Sequence, residues 1–223
     1  MTTYKRSLPE IQLVVFDLDG TLADTKADLA LSVNAMREYL GLSPLPFALV
    51  TSYVGHGVRV LMRRVLGSEA PESELEKGLA FFLDYYGKHL LDNTVAYPGV
   101  REALEALGQR QLAVLTNKDT GFSHEVLDGL GLGSYFFAVC GADSFPLKKP
   151  DPMGIKTLMS RVGASAEQTL MVGDSDTDVL TGRNAGVWTC GVTYGFAPQS
   201  LEKAAPDLLL DDLRDLPPLL DGR

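Results

Sequence analysis

Two different rhythms of apolar and polar positions divide the chain. Through its last two-thirds, short apolar runs alternate with helical patterns. "QLAVLT" (111–116) predicts a strand, and "FSHEVLDGLGL" (122–132) a helix ending at glycines. "YFFAVC" (135–140) predicts a strand, and "DPMGIKTLMSRVG" (151–163) a helix with Asp151 as N-cap and Pro152 at its first position. "TLMVG", the helical "SDTDVLTGRNAG", then "VWTCGV" and "DLLLDD" complete the series. Continuous apolar runs separated by helices signal βαβ units, hence a parallel sheet covered on both faces. "LVVF" (13–16) is a further strand of the same kind.

From Asp24 to Tyr97 that rhythm is replaced by helical periodicity alone. "DTKADLALSVNAMREYLGL", "GVRVLMRRVLG" and "PESELEKGLAFFLDYYGKHLLDN" are all helix patterns, the last beginning at Pro71 with acids in its first turn. The expected organisation is therefore an α/β, Rossmann-like parallel-sheet core from residues 1–23 and 97–223. A helical cap, 24–96, is inserted directly after the first strand.

Open parallel sheets bind ligands at the carboxyl ends of their strands, so the chemistry is expected just past each apolar run. After "LVVF" come Asp17 and Asp19, with Gly20 next. After "LAVL" come Thr116 and Asn117. After "TLMVG" comes Asp174, with Asp178 one helical turn on, and "KKPDP" places Lys149 just before a helix. Four segments far apart in sequence converge at one edge. Together they suit phosphoryl transfer through an aspartyl-phosphate. Asp17 is the nucleophile. Asp19, on the same side of an extended segment, protonates the leaving oxygen and later takes a proton from water. Gly20 lets the backbone turn close to the phosphate. Thr116 and Asn117 donate to phosphoryl oxygens. The acids need cations beside a phosphate, so Mg²⁺ on Asp17, Asp174 and a backbone carbonyl, together with Lys149, completes the site.

An EF-hand reading of "DLDGTLAD" fails, because its sixth and twelfth positions are Leu22 and Asp28 where Gly and Glu are needed. Composition narrows the classes further. With 223 residues, 45% apolar and 22% charged, the chain can bury a full core. A net charge of −9 argues against a nucleic-acid partner. No apolar run approaches the roughly 18 residues a membrane span needs. "MTTYKRSLPE" does not read as a leader peptide, so a cytoplasmic protein acting on a small phosphorylated metabolite is expected. Cys140 and Cys190 end apolar runs and read as buried small hydrophobes, and the aromatic group Phe81, Phe82, Tyr85 and Tyr86 reads as packing.

"DLDGT", the Thr of "LTN", the Lys of "KKPDP" and "GDSDTD" occur in the order seen in the haloacid dehalogenase-like hydrolase superfamily, which the chain resembles over essentially its whole length. The resemblance implies the same roles for Asp17, Asp19 and Lys149. It puts the Asp19 backbone carbonyl and Asp174 on Mg²⁺, and Asp178 beside them as a further or alternative ligand. Within the superfamily, "YVGHGVRVLMRR" (53–64) and "VTYGF" (192–196) resemble the phosphoglycolate phosphatases. In the first of these, Gly55 and Gly57 make a loop that reaches the active site with His56 between them. Arg59 and Arg63, four apart on one helix face, are placed to meet a substrate carboxylate, against the plainer reading of a solvated basic stripe. Other small phosphate esters and sugar phosphomutase activity remain as competing readings. A dehalogenase needs neither Asp19 nor a metal, and a non-catalytic phosphate binder would not need every catalytic position intact.

Overall fold

A computed structural model describes residues 10–222; the segment tested for a leader peptide lies almost wholly outside them. Six strands form one parallel sheet: β1 (Leu13–Phe16), β4 (Gln111–Leu115), β5 (Ala138–Cys140), β6 (Thr169–Gly173), β7 (Trp188–Val192) and β8 (Leu208–Leu210). Their order across the sheet is β5-β4-β1-β6-β7-β8. A two-residue antiparallel pair, β2 (Ala23–Asp24) and β3 (Val95–Ala96), stands apart from it.

β1 is central, hydrogen-bonded to β4 on one side and β6 on the other, and all four of its residues are buried. Its alternation divides the interior. Val14 and Phe16 enter the larger apolar cluster, while Leu13 and Val15 enter a smaller one on the opposite face. The larger cluster is filled from α5 (Val100–Ala106), α6 (Thr120–Gly129) and α10 (Leu216–Leu220), the smaller from α7 (Met153–Val162) and α8 (Asp176–Ala185). α9 (Pro198–Ala204) packs on α8 and β7.

Between β2 and β3 the chain runs through four helices: α1 (Lys26–Tyr39), α2 (Phe47–Thr51), α3 (Val58–Leu66) and α4 (Glu72–Lys88). α4 buries Leu75, Gly78, Phe82 and Tyr86, a stripe at three- and four-residue intervals, and packs along α1. The outgoing and returning segments are joined twice. β2 pairs with β3, and the buried Asp28 carboxylate in the first turn of α1 accepts four donors from the returning chain. These are Asn93 N (2.9 Å), Asn93 Nδ2 (2.8 Å), Thr94 N (2.8 Å) and Thr94 Oγ1 (2.7 Å).

Three local expectations are corrected. Asp151 does not cap α7; the cap position is Pro152, so the helix starts one residue later than expected, and the Asp151 side chain accepts from Met153 N at 2.9 Å in the turn before it. The strand predicted over 135–140 is only β5, because Gly133–Tyr135 form a 3₁₀ turn that brings the chain up to the sheet edge. The short helix α2 carried no periodicity long enough to announce it. Cys140 and Cys190 are both buried, and burial pushes their thiol pKa values up.

Candidate active site

Each polar cluster begins where a strand runs out. Asp17 N still bonds to Val172 O of β6 (2.9 Å) and Thr116 N to Cys140 O of β5 (2.9 Å), so both residues are held in the sheet ladder. Beyond Asp17 the Leu18 carbonyl accepts from Thr21, Leu22 and Ala23, folding the chain into one tight turn. Leu18 is fully buried, while Asp17 and Asp19 both line the same cavity, as period-two geometry requires. Asp174 comes directly after β6, and Asp178 lies in the first turn of α8, where Ser175 N and Ser175 Oγ donate to its Oδ2 (3.2 and 2.7 Å).

Lys149 joins these acids. Its ammonium lies 2.8 Å from Asp17 Oδ1 as an ion pair without hydrogen-bond alignment, and donates to Asp178 Oδ1 at 2.6 Å. One oxygen each from Asp17, Asp174 and Asp178 lie within 4.8 Å of one another. When all three are ionised, a single lysine leaves two negative charges uncompensated in a buried site. That is a strongly unfavourable arrangement unless a divalent cation enters. Two of the acids, Asp17 and Asp174, are accordingly harder to ionise than a free aspartate. Burial, opposed by Lys149 and reinforced by Asp178, raises the Asp17 pKa to about 6. Burial, then Asp178 and Asp17, raise that of Asp174 to about 8, against the hydrogen bond from Phe196 N at 2.5 Å. Burial disfavours the Lys149 ammonium, but the adjacent Asp17 and Asp178 outweigh it and hold its pKa above the ordinary lysine value. Oxygen donors, a net negative charge and an Asp17 oxygen without an aligned partner suit a hard divalent cation.

Gly20 takes a different place from the one expected. A side chain there would meet the Asp174 carboxylate at 2.3 Å, and φ is +91°. Its bareness makes room for Asp174. Gly195, within "VTYGF", does the same from the other side, with Asp174 Cβ 2.2 Å from where its own Cβ would stand. Asn117 is also corrected: its amide donates to Lys149 O (3.2 Å) and Gly55 O (3.0 Å), and its Oδ1 accepts from Lys149 N (3.0 Å). Both amide hydrogens are occupied in fixing the lysine loop and joining it to the loop of the helical layer. Thr116 lines the cavity, its hydroxyl accepting from Lys118 N at 3.2 Å.

Above this floor α1, α3 and α4, with Phe122 of α6, form an apolar roof. The cavity between them, about 70 Å³, is walled by Leu29, Val58, Leu61, Phe82 and Phe122 among others, and includes Gly55 and Gly57. Gly57 sits against Asn117 O and the exposed Lys148, so the glycine loop does reach the polar floor. His56 turns away to Arg64 (Nη1 to Nδ1, 3.4 Å) and a separate surface cleft. Arg59 and Arg63 are corrected. The inner face of α3 is Leu61, Met62 and Val65, with Val58 and Leu61 against the cavity. Arg59 and Arg63 fall on the outer face, where Arg59 pairs with Glu72 and Glu76, and Arg63 with Glu72. They are the solvated basic stripe.

Two residues that the sequence did not single out as chemical stand in the cavity. Lys118 lies beside Asp19 (Nζ to Oδ1 3.1 Å, to Oδ2 3.3 Å) and donates to Tyr86 Oη of α4 at 2.5 Å. Burial works against its charge, but Asp19 and Tyr86 outweigh burial and raise its pKa. Asp19 also accepts from Thr25 Oγ1 at 2.7 Å. Lys118 directly follows "TN", and Tyr86 is the one polar-ended member of the buried stripe of α4. Those were the available signals.

Comparison with known proteins agrees with this geometry. A family model described as haloacid dehalogenase-like hydrolase matches residues 14–192. A phosphoglycolate phosphatase of Pseudomonas putida is 40% identical over 216 residues, covering 93% of this chain and 79% of that one. One of Agrobacterium fabrum is 37% identical, covering 96% and 94%. The solved structure of a predicted phosphoglycolate phosphatase from Haemophilus somnus superposes with a TM-score of 0.89 at 34% identity, covering 93% of this chain and 97% of that one. With the match spanning the acids after β1, the threonine after β4, Lys149 and the acids after β6, the chain belongs to the haloacid dehalogenase-like hydrolases.

Proposed function

We propose that this protein is a phosphatase that hydrolyses a small phosphate monoester, with 2-phosphoglycolate as substrate. One observation carries the reading: Asp17 and Asp19 stand side by side on the polar floor of a small cavity, with Lys149 against Asp17. Asp17 attacks phosphorus, forming an acyl-phosphate bond as the ester P–O bond breaks. Asp19 gives its proton to the departing oxygen, then takes one from the water that cleaves the acyl phosphate, releasing inorganic phosphate. Lys149 and the Thr116 hydroxyl meet charge on the phosphoryl oxygens. Asp178, whose oxygens already accept from Lys149 and Ser175, positions that lysine.

Asp17, Asp174 and the Asp19 carbonyl are the groups to hold Mg²⁺, with Asp178 adding its charge beside them. When bound, the ion neutralises the acids and polarises the phosphoryl group. Residues 24–96 act as a cap that excludes water and sets substrate size. The cavity beneath it is small, about 70 Å³, which suits a small ester. The names of the relatives support the particular ester. We read the protein as acting on a free metabolite in the cytoplasm, with neither nucleic acid nor membrane as partner. No helix among the described residues is long and apolar enough to cross a membrane.

Asp17→Asn tests the covalent mechanism. It removes the nucleophile and one of the excess buried charges, so kcat is expected to fall by at least about 10³-fold, with an unchanged circular dichroism spectrum. Retention of wild-type turnover would refute nucleophilic attack by Asp17.

A further inference from the structure

Lys118 is the cation that the proposed reaction does not use, and it is unusual in its setting. Its side chain is 6% exposed, yet it lines the cavity. No arginine lines that cavity, and no second lysine does, among the described residues. Arg59 and Arg63 are held on the outside of the cap by Glu72 and Glu76. Lys149 is enclosed between Asp17 and Asp178. The rest of the roof is apolar.

A substrate such as 2-phosphoglycolate is charged at both ends. With its phosphoryl group at Asp17, its carboxylate must leave water for the space under an apolar roof, and an uncompensated carboxylate there is strongly disfavoured. We infer that Lys118 is the receptor for the substrate's distal carboxylate and thereby the residue that selects a charged two-carbon ester. An ammonium has three N–H donors, and Lys118 has two neighbouring acceptors, Asp19 and the Tyr86 hydroxyl. That leaves capacity for a third partner, and among the described residues no other cation lines the cavity. Tyr86 makes the arrangement depend on the cap: its hydroxyl reaches Lys118 from α4 and its ring lies under the ammonium, 4.6 Å from Nζ to the centroid. The receptor is therefore complete with α4 docked, its Tyr86 ring edge-on to Phe122 of α6. This inference rests on the proposed substrate and names the residue that reads it.

The test compares kcat/KM for 2-phosphoglycolate with that for ethyl phosphate, which carries a methyl group in place of the carboxylate. Lys118 also touches Asp19, so Lys118→Met is expected to slow both esters. The quantity that decides is their ratio, because a purely structural role would lower both together. The wild-type preference for 2-phosphoglycolate is expected to shrink by about 30-fold or more in Lys118→Met, and Lys118→Arg, which keeps the charge, to retain most of it. Lys118→Gln, which can still bond to Asp19 and Tyr86, gives the same reading should the methionine variant not fold. An unchanged ratio in the neutral variants overturns the inference while leaving the substrate assignment standing. A wild-type enzyme with no preference for the charged ester overturns the substrate assignment, and the inference with it.

Discussion

Gly20 and Gly195 close on the Asp174 carboxylate from two sides, with no room for a methyl group at either, and Phe196 N holds one of its oxygens. Buried beside two other acids, Asp174 holds its proton up to about pH 8, and Asp17 up to about pH 6. Both values lie above the 3.8 of an unperturbed aspartate. Without a cation the native state thus binds protons that the unfolded chain has already released. The stability these two groups contribute is full below pH 3.8 and lost as pH rises through about 6 and then 8. A bound divalent cation replaces those protons. The increase in Tm on adding saturating Mg²⁺ should therefore grow between pH 6 and pH 8.5, as measured by scanning calorimetry. A gain that is flat or falls with pH would place the metal away from these acids.

At the scale of elements, the joint between cap and core is the informative part. β2 and β3 are two residues each and carry little stability alone; the buried Asp28 carboxylate ties the same two segments through four hydrogen bonds. Burial works against its charge, but the bonds from Asn93 and Thr94 outweigh that and lower its pKa. Asp28→Ala leaves those donors unpaired. A loss of about 3 kcal/mol is expected, or roughly 6–12 °C in Tm for a chain of this size. Since a lowered folded-state pKa stabilises above the unfolded value of 3.8 and is lost on acidification, the gap between wild type and variant should narrow below that pH. A variant as stable as wild type at pH 7 would remove Asp28 from the joint.

The strands and the four polar clusters were legible because a parallel sheet imposes one rule on all of them: apolar run, then chemistry at the carboxyl end. Asp28 was not legible, since an acid in the first turn of a helix reads as an ordinary favourable charge, and only the returning chain 65 residues later reveals its partners. Arg59 and Arg63 failed for a related reason. Four-residue spacing correctly puts them on one face, but which face looks inward is decided by Leu61, Met62 and Val65 packing beneath the cap. Lys118 was hidden by its neighbours Thr116 and Asn117, whose match to a known pattern drew the chemistry one residue short of it.

For the whole molecule, one continuous apolar cluster runs from Val14 and Phe16 of the sheet to Leu61, Met62 and Phe82 of the helical layer. The helical layer is seated on the sheet by packing as well as by polar contacts, and the cavity at their junction is small. A net charge of −9 runs against the binding of an anion charged at both ends. The local arrangement resolves it: Lys149 and Lys118 are buried at the two sides of the reaction centre, and the acids around Lys149 form a cation site. The central claim is thus that a small, two-lysine site hydrolyses a small ester with charge at both ends. Its most direct test is kcat/KM for phosphate release, with Mg²⁺ present, from 2-phosphoglycolate, ethyl phosphate, hexose phosphates and nucleoside monophosphates. The account predicts that 2-phosphoglycolate leads the panel by at least about tenfold; a hexose phosphate or nucleotide turned over equally well, or no hydrolysis of any of them, would contradict it.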